Sequence, residues 1–200
     1  MIANFDQATR KAVWGIRAAA AIAFSAVLFA GCGEAVRQGR GSAFLVLDSL
    51  TGTNTGSTTF SSVVASDVLH GGGVIADQGQ AAFRLQMKDV ALAPSPNNAV
   101  TITRYRVTYI RADGRNTPGV DVPYPFDGAV TATVVGAATV GFTLVRVQAK
   151  LEEPLRALSF DGGANVISTI AQVTFYGTDA AGNAVSVTGQ IEVNFSDWAG

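Results

Sequence analysis

Ala184-Val185-Ser186-Val187-Thr188-Gly189-Gln190-Ile191-Glu192-Val193-Asn194-Phe195 alternates apolar or small residues with polar ones along its whole length. In an extended chain successive side chains point to opposite sides. Val185, Val187, Ile191, Val193 and Phe195 therefore share one face, and Ser186, Thr188, Gln190, Glu192 and Asn194 the other. That is the pattern of a strand with one face in a core and one in water. The same rhythm recurs upstream. Phe83, Leu85 and Met87 interleave with Arg84, Gln86 and Lys88; Tyr105, Val107 and Tyr109 with Arg104, Arg106 and Thr108; Val130, Ala132 and Val134 with Thr131 and Thr133. Further strands are predicted within 43–50, 59–69, 139–150 and 166–178.

Helical periodicity is nearly absent. Only 151–158 (LEEPLRAL) can make a turn or two, and Pro154 is compatible with such a helix only near its start. Residues 51–57 and 93–99 read as loops by composition. The expectation is an all-β protein, one sandwich of eight or nine strands over residues 43–200. The chain has 200 residues, 48% hydrophobic and 14% charged, which suits one ordinary folded domain. A single Cys excludes an internal disulfide. A formal charge of −1 lacks the basic excess of a nucleic-acid binder, so no nucleic-acid partner is expected.

The last two predicted strands are joined by Asp179-Ala180-Ala181-Gly182-Asn183. Asp179 can accept from the turn's own amides, and Gly182 and Asn183 tolerate positive φ. With its flanks from Val173 to Phe195, this hairpin resembles the end of bacterial immunoglobulin-like or fibronectin III-like domains. The resemblance implies an immunoglobulin-like or fibronectin III-like β-sandwich and leaves function open. The Cys–Trp–Cys framework of true immunoglobulin domains is absent, Trp198 standing at the C-terminus.

The N-terminus carries a different signal. Arg10, Lys11 and Arg17 precede an apolar run over 18–30, broken only by Ser25 and too short for the roughly 18–20 residues that span a bilayer. A basic start, a short greasy middle and small residues after it have the layout of a signal peptide. Leu28-Phe29-Ala30-Gly31-Cys32 resembles the lipobox of bacterial lipoproteins, with Phe29 where that family usually has Leu. The resemblance implies removal of 1–31 as a lipoprotein signal peptide and diacylglycerol on the Cys32 thiol. The membrane is then a partner through lipid, and the location is the bacterial cell envelope. Gly33 after the Cys resembles the outer-membrane sorting pattern. Residues 32–42 form a Gly-rich tether reaching at most roughly 35 Å, and the remaining chain is mildly acidic.

Chemistry is hard to find. His70 is the only His and precedes Gly71-Gly72-Gly73, a hairpin loop by composition; no Lys-Ser/Thr follows to make a phosphate cradle. Glu152 and Glu153 are adjacent, so neither a strand nor a helix makes them the facing carboxyl pair of a glycosidase. Arg104 and Arg106 share a strand face, extended by Arg84 and Lys88 if those strands are neighbours. That stripe suits a solvated face or an anion.

The segment 111–128 (RADGRNTPGVDVPYPFDG) is the most distinctive. Asp113-Gly114 signals a two-residue hairpin turn, and Pro118, Pro123 and Pro125 are excluded from a central strand. One reading is an edge strand stiffened by Pro against unwanted pairing. The other is a rigid recognition loop in which Tyr124 and Phe126 stack on a sugar or a partner's apolar side chain, with Arg111 and Arg115 for anions. A calcium site from Asp113, Asp121 and Asp127 is a third reading, without EF-hand spacing. The expectation is a non-enzymatic anchored protein with no cofactor and no metal. Its partner is another envelope protein, met by the 111–128 loop or by an exposed sheet edge, or, alternatively, a glycan or small ligand at the same loop. The candidate loop residues are Arg111, Asp113, Arg115, Asp121, Tyr124, Phe126 and Asp127.

Overall fold

A computed structural model describes residues 41–198. The expected signal peptide, Cys32 and most of the expected tether lie outside the described residues. The strands are β1 (Ala43–Thr53), β2 (Phe60–Ser61), β3 (Val63–Asp67), β4 (Asp77–Met87), β5 (Val100–Ile110), β6 (Phe126–Val134), β7 (Ala137–Val145), β8 (Ile167–Asp179) and β9 (Ala184–Ser196). One short helix, α1 (Val147–Leu151), and 3₁₀ turns at Pro96–Asn98 and Leu155–Leu158 complete the regular elements described.

Two sheets face each other, ordered β2-β1-β4-β7 and β3-β9-β8-β5-β6. Every pairing is antiparallel except β3 on β9. The result is a β-sandwich of two packed sheets. Its core is the period-two face of each strand: Leu45, Ala81, Phe83 and Leu85 with Val140, Phe142 and Leu144 from one sheet, and Val100, Ile102, Tyr105 and Val107 with Val173, Phe175, Ile191, Val193 and Phe195 from the other. Phe175 sits where the sheets meet. Its ring is edge-on to Phe83 at 4.9 Å and to Phe142 at 5.3 Å. Two buried tyrosines of β5 tie the layers together. The Tyr109 hydroxyl donates to the Leu144 carbonyl at 2.7 Å, and the Tyr105 hydroxyl accepts from the Thr143 amide at 3.1 Å. Burial pushes the Tyr109 hydroxyl's pKa far up, because a phenolate there would be desolvated.

Three expectations need correction. The stretch 139–150 is not one strand: β7 stops at Val145 and Lys150 lies on α1. Asp113-Gly114 does not close a two-residue hairpin; the β5–β6 connection runs from 111 to 125. Arg84 and Lys88, on or just past β4, do not extend the Arg104–Arg106 stripe of β5, since β4 and β5 belong to different sheets.

Strand pairing also fixes two poles. Gly41 enters beside the β8–β9 turn, where a Cβ on it would lie 3.1 Å from Asp179 Oδ2. Val100, the start of β5, pairs with that same Asp179, whereas Ile110, its end, pairs with Ile170 near the start of β8. The 111–125 connection therefore leaves from the pole opposite Gly41. The ends of β3 and β9 (Asp67 opposite Ser196) and the start of β4 (Asp77 opposite Val145) lie at that far pole too. Among the described residues no helix is long and apolar enough to cross a membrane.

Candidate functional site

The 111–125 connection is ordered by its own polar groups. Thr117 and Asp121 close a ring: the Thr117 amide donates to Asp121 Oδ2 at 3.1 Å, and the Asp121 amide to the Thr117 carbonyl at 2.8 Å. The Gly119 amide donates to the Val122 carbonyl at 2.8 Å, which needs the left-handed backbone that Gly119 adopts at φ +76°. Upstream, Asn116 Oδ1 accepts from the Arg111 amide at 2.6 Å. Val122 and Pro123 are buried and pin the loop to the body. Between these pins Val120 is 68% and Tyr124 48% exposed. The Tyr124 ring lies over Gly119, where any Cβ would overlap it.

The predicted residues do not act as one group. Phe126 is buried, 8% exposed, against Tyr105, with the Arg146 guanidinium 5.1 Å from its ring centre. It is a core residue, which removes it from the recognition loop. Asp127 points to the outer face of its sheet, where it pairs with Arg106 at 2.6 Å and Arg104 at 3.5 Å. Arg104 in turn stacks on Tyr176 at 4.0 Å. Arg111 and Arg115 both bind Asp113, at 2.6 and 3.2 Å, so these three charges satisfy one another instead of facing a ligand. The Arg111 side chain, then the Arg115 amide, holds the Asp113 carboxyl down at about 2. Asp121 serves the Thr117 turn. Asp113, Asp121 and Asp127 thus have three separate sets of partners, and among the described residues no group of three or more His, Cys, Asp or Glu side chains is placed to hold a metal.

A second cluster lies at the same pole, inside the protein. Lys150 is fully buried, and its Nζ lies 3.0 Å from both Asp77 oxygens. It also donates to Thr55 Oγ1 at 3.0 Å and to the Asp67 carbonyl at 2.8 Å. The Thr55 hydroxyl donates to Asp77 Oδ1 and the Ser66 hydroxyl to Oδ2. Burial raises the Asp77 pKa and lowers that of Lys150, and their mutual attraction opposes both shifts. Beside them the Asp67 carboxylate meets His70 Nδ1 at 3.0 Å and accepts from the Trp198 amide at 3.1 Å. His70 is thereby tied into the far pole, more than a plain hairpin residue.

Compared with protein-family models, curated proteins and solved structures, the chain matches none of them.

Sequence reading missed Lys150 and Asp77 because a charged residue in an alternating pattern is assigned to water. Only non-local neighbours reverse that assignment: Thr55 in the turn after β1, Ser66 and Asp67 of β3, and the pairing of Asp77 on β4 with Lys150 on α1. Phe126 did carry a usable signal. It is in phase with Val130, Ala132 and Val134 on β6, while Asp127 is in phase with Thr131 and Thr133.

Proposed function

We propose that this chain is a non-enzymatic, lipid-anchored envelope protein whose sandwich contacts another envelope protein through the 111–125 loop. The anchor rests on the lipobox-like Leu28–Cys32 run and the basic, apolar segment before it. The observation that carries the contact is the loop itself. It is held rigid by internal hydrogen bonds, it projects Val120 and Tyr124 into solvent, and it leaves the sandwich at the pole opposite Gly41. A loop already in one conformation loses little entropy on binding. An exposed Tyr is the kind of side chain that contributes most at protein interfaces. A chain tethered through Gly41 presents that pole away from its point of attachment.

The protein-contact reading fits better than a glycan platform. Sugar stacking was expected from two rings, and Phe126 faces the core, leaving Tyr124 as the one exposed ring of the pair, with the aliphatic Val120 exposed on the same loop. The test is affinity capture from detergent-solubilised envelopes with the intact protein and a Val120→Ala/Tyr124→Ala variant. Loss of one or more partners from the variant supports the loop. The same partners captured by both remove it. A thermal shift with glycans that Tyr124→Ala abolishes turns the assignment to the glycan reading.

A further inference from the structure

We propose that Lys150 and Asp77 become joined by an intramolecular amide between Nζ and Cγ, with release of one water. The geometry is that of a reactant pair. Nζ is 3.0 Å from both carboxyl oxygens. An atom equidistant from the two oxygens faces the carbon between them, which places Cγ within about 3.5 Å, the reach of a near-attack arrangement. Both side chains have zero exposure, so no solvent water competes at the carbon.

Each part of the step has a named group. A proton passes from the ammonium to the carboxylate, giving an amine and a carboxylic acid. Burial works toward that neutral pair, moving the Asp77 pKa up and the Lys150 pKa down against their mutual attraction. The Nζ lone pair then attacks Cγ, and the C=O electron pair moves onto Oδ2, where the Ser66 hydroxyl donates a hydrogen bond to the developing charge. The Cγ–Oδ1 bond breaks as the carbonyl re-forms. Thr55 Oγ1 touches both Nζ and Oδ1, so it can carry the proton shed by nitrogen to the departing hydroxyl. That hydroxyl leaves as water. No oxidant, metal or second substrate is needed, and two buried charges give way to one neutral amide. The bond ties the first residue of β4 to α1, between β7 and β8, across the pole that carries the candidate loop.

Tryptic mapping of the full chain, denatured after purification, reads this directly. The expected product is one branched peptide in which residues 41–84, carrying Asp77, are linked to 147–156, uncut at Lys150 and one water lighter than the two together. Thr55→Val is expected to lower the branched fraction at early times after refolding, with the linear pair making up the difference. Lys150→Arg provides the linear reference digest. Wild-type protein that yields only linear peptides, cut after Lys150, overturns the proposal and leaves an ion pair.

Discussion

Phe175→Ala probes the packing that makes this chain a sandwich. The Phe175 side chain is fully buried on β8 and meets Phe83 of β4 at 4.9 Å and Phe142 of β7 at 5.3 Å, both edge-on, with Tyr105 at 6.1 Å. Truncation removes a whole ring and the aromatic pairs it makes across the two sheets. Core Phe→Ala changes cost about 3–5 kcal/mol, and each edge-on pair adds about 0.5–1.5 kcal/mol beyond area. Three ring neighbours place this site in the upper half of that range, about 4–5 kcal/mol. For a domain this size roughly 2–4 °C is lost per kcal/mol, so the melting temperature falls by about 8–20 °C. Urea unfolding followed by tyrosine and tryptophan fluorescence gives the free energy, with an unchanged slope if the variant still folds two-state. Phe175→Leu keeps most of the volume and is expected to lose under about 2 kcal/mol. A Phe175→Ala variant within about 1 kcal/mol of wild type refutes the argument, because the sheets then do not close over that ring.

Three further outcomes are expected. Val120→Ala/Tyr124→Ala, exposed on both positions, leaves the melting temperature within about 2 °C of wild type, so a loss of partner capture is not a loss of fold; calorimetry checks this. Lys150→Met deprives the buried Asp77 carboxyl of its partner nitrogen, ion-paired or amide-linked, and costs about 3 kcal/mol or more in urea unfolding. Asp179→Ala breaks the β8–β9 turn, where the carboxylate accepts from the Ala181 and Asn183 amides and the Asn183 side chain at 2.8–3.0 Å, for about 1–2 kcal/mol. Slight burial alone would raise the Asp179 pKa, but these hydrogen bonds, the Asn183 side chain first, bring it below its ordinary 3.8. Its contribution is therefore full above pH 3.8 and lost as the pH falls through the lower folded value. The gap between wild type and Asp179→Ala narrows over that acid range.

Much of the architecture is written in residue parity. β9 alternates without interruption, and its inward set Ile191, Val193 and Phe195 is buried as the pattern requires. Even the irregularities leave a trace. In β5 the inward residues run Val100, Ile102, then Tyr105, Val107, Tyr109, and the parity slip falls where the register shifts between Ile102 and Arg104. In β1 the step from Leu47 to Leu50 marks the shift between Leu47 and Ser49. The candidate loop was legible as a segment, since Pro118, Pro123 and Pro125 exclude a ladder, but its contents were not. Which ring faces out depends on whether β6 begins at Phe126, and the prolines drew Phe126 into the loop. The Lys150–Asp77 cluster had no local trace. It exists because the starts and ends of four separate segments converge at one pole, which only the fold brings about.

The lipid anchor is the claim on which location and function both rest, and mass spectrometry of the N-terminal peptide from membrane-extracted protein tests it most directly. The account predicts a chain beginning at Cys32 with diacylglycerol on the sulfur, released into detergent and not into salt. A chain that retains residues 1–31, or begins elsewhere with an unmodified Cys32 thiol, contradicts it.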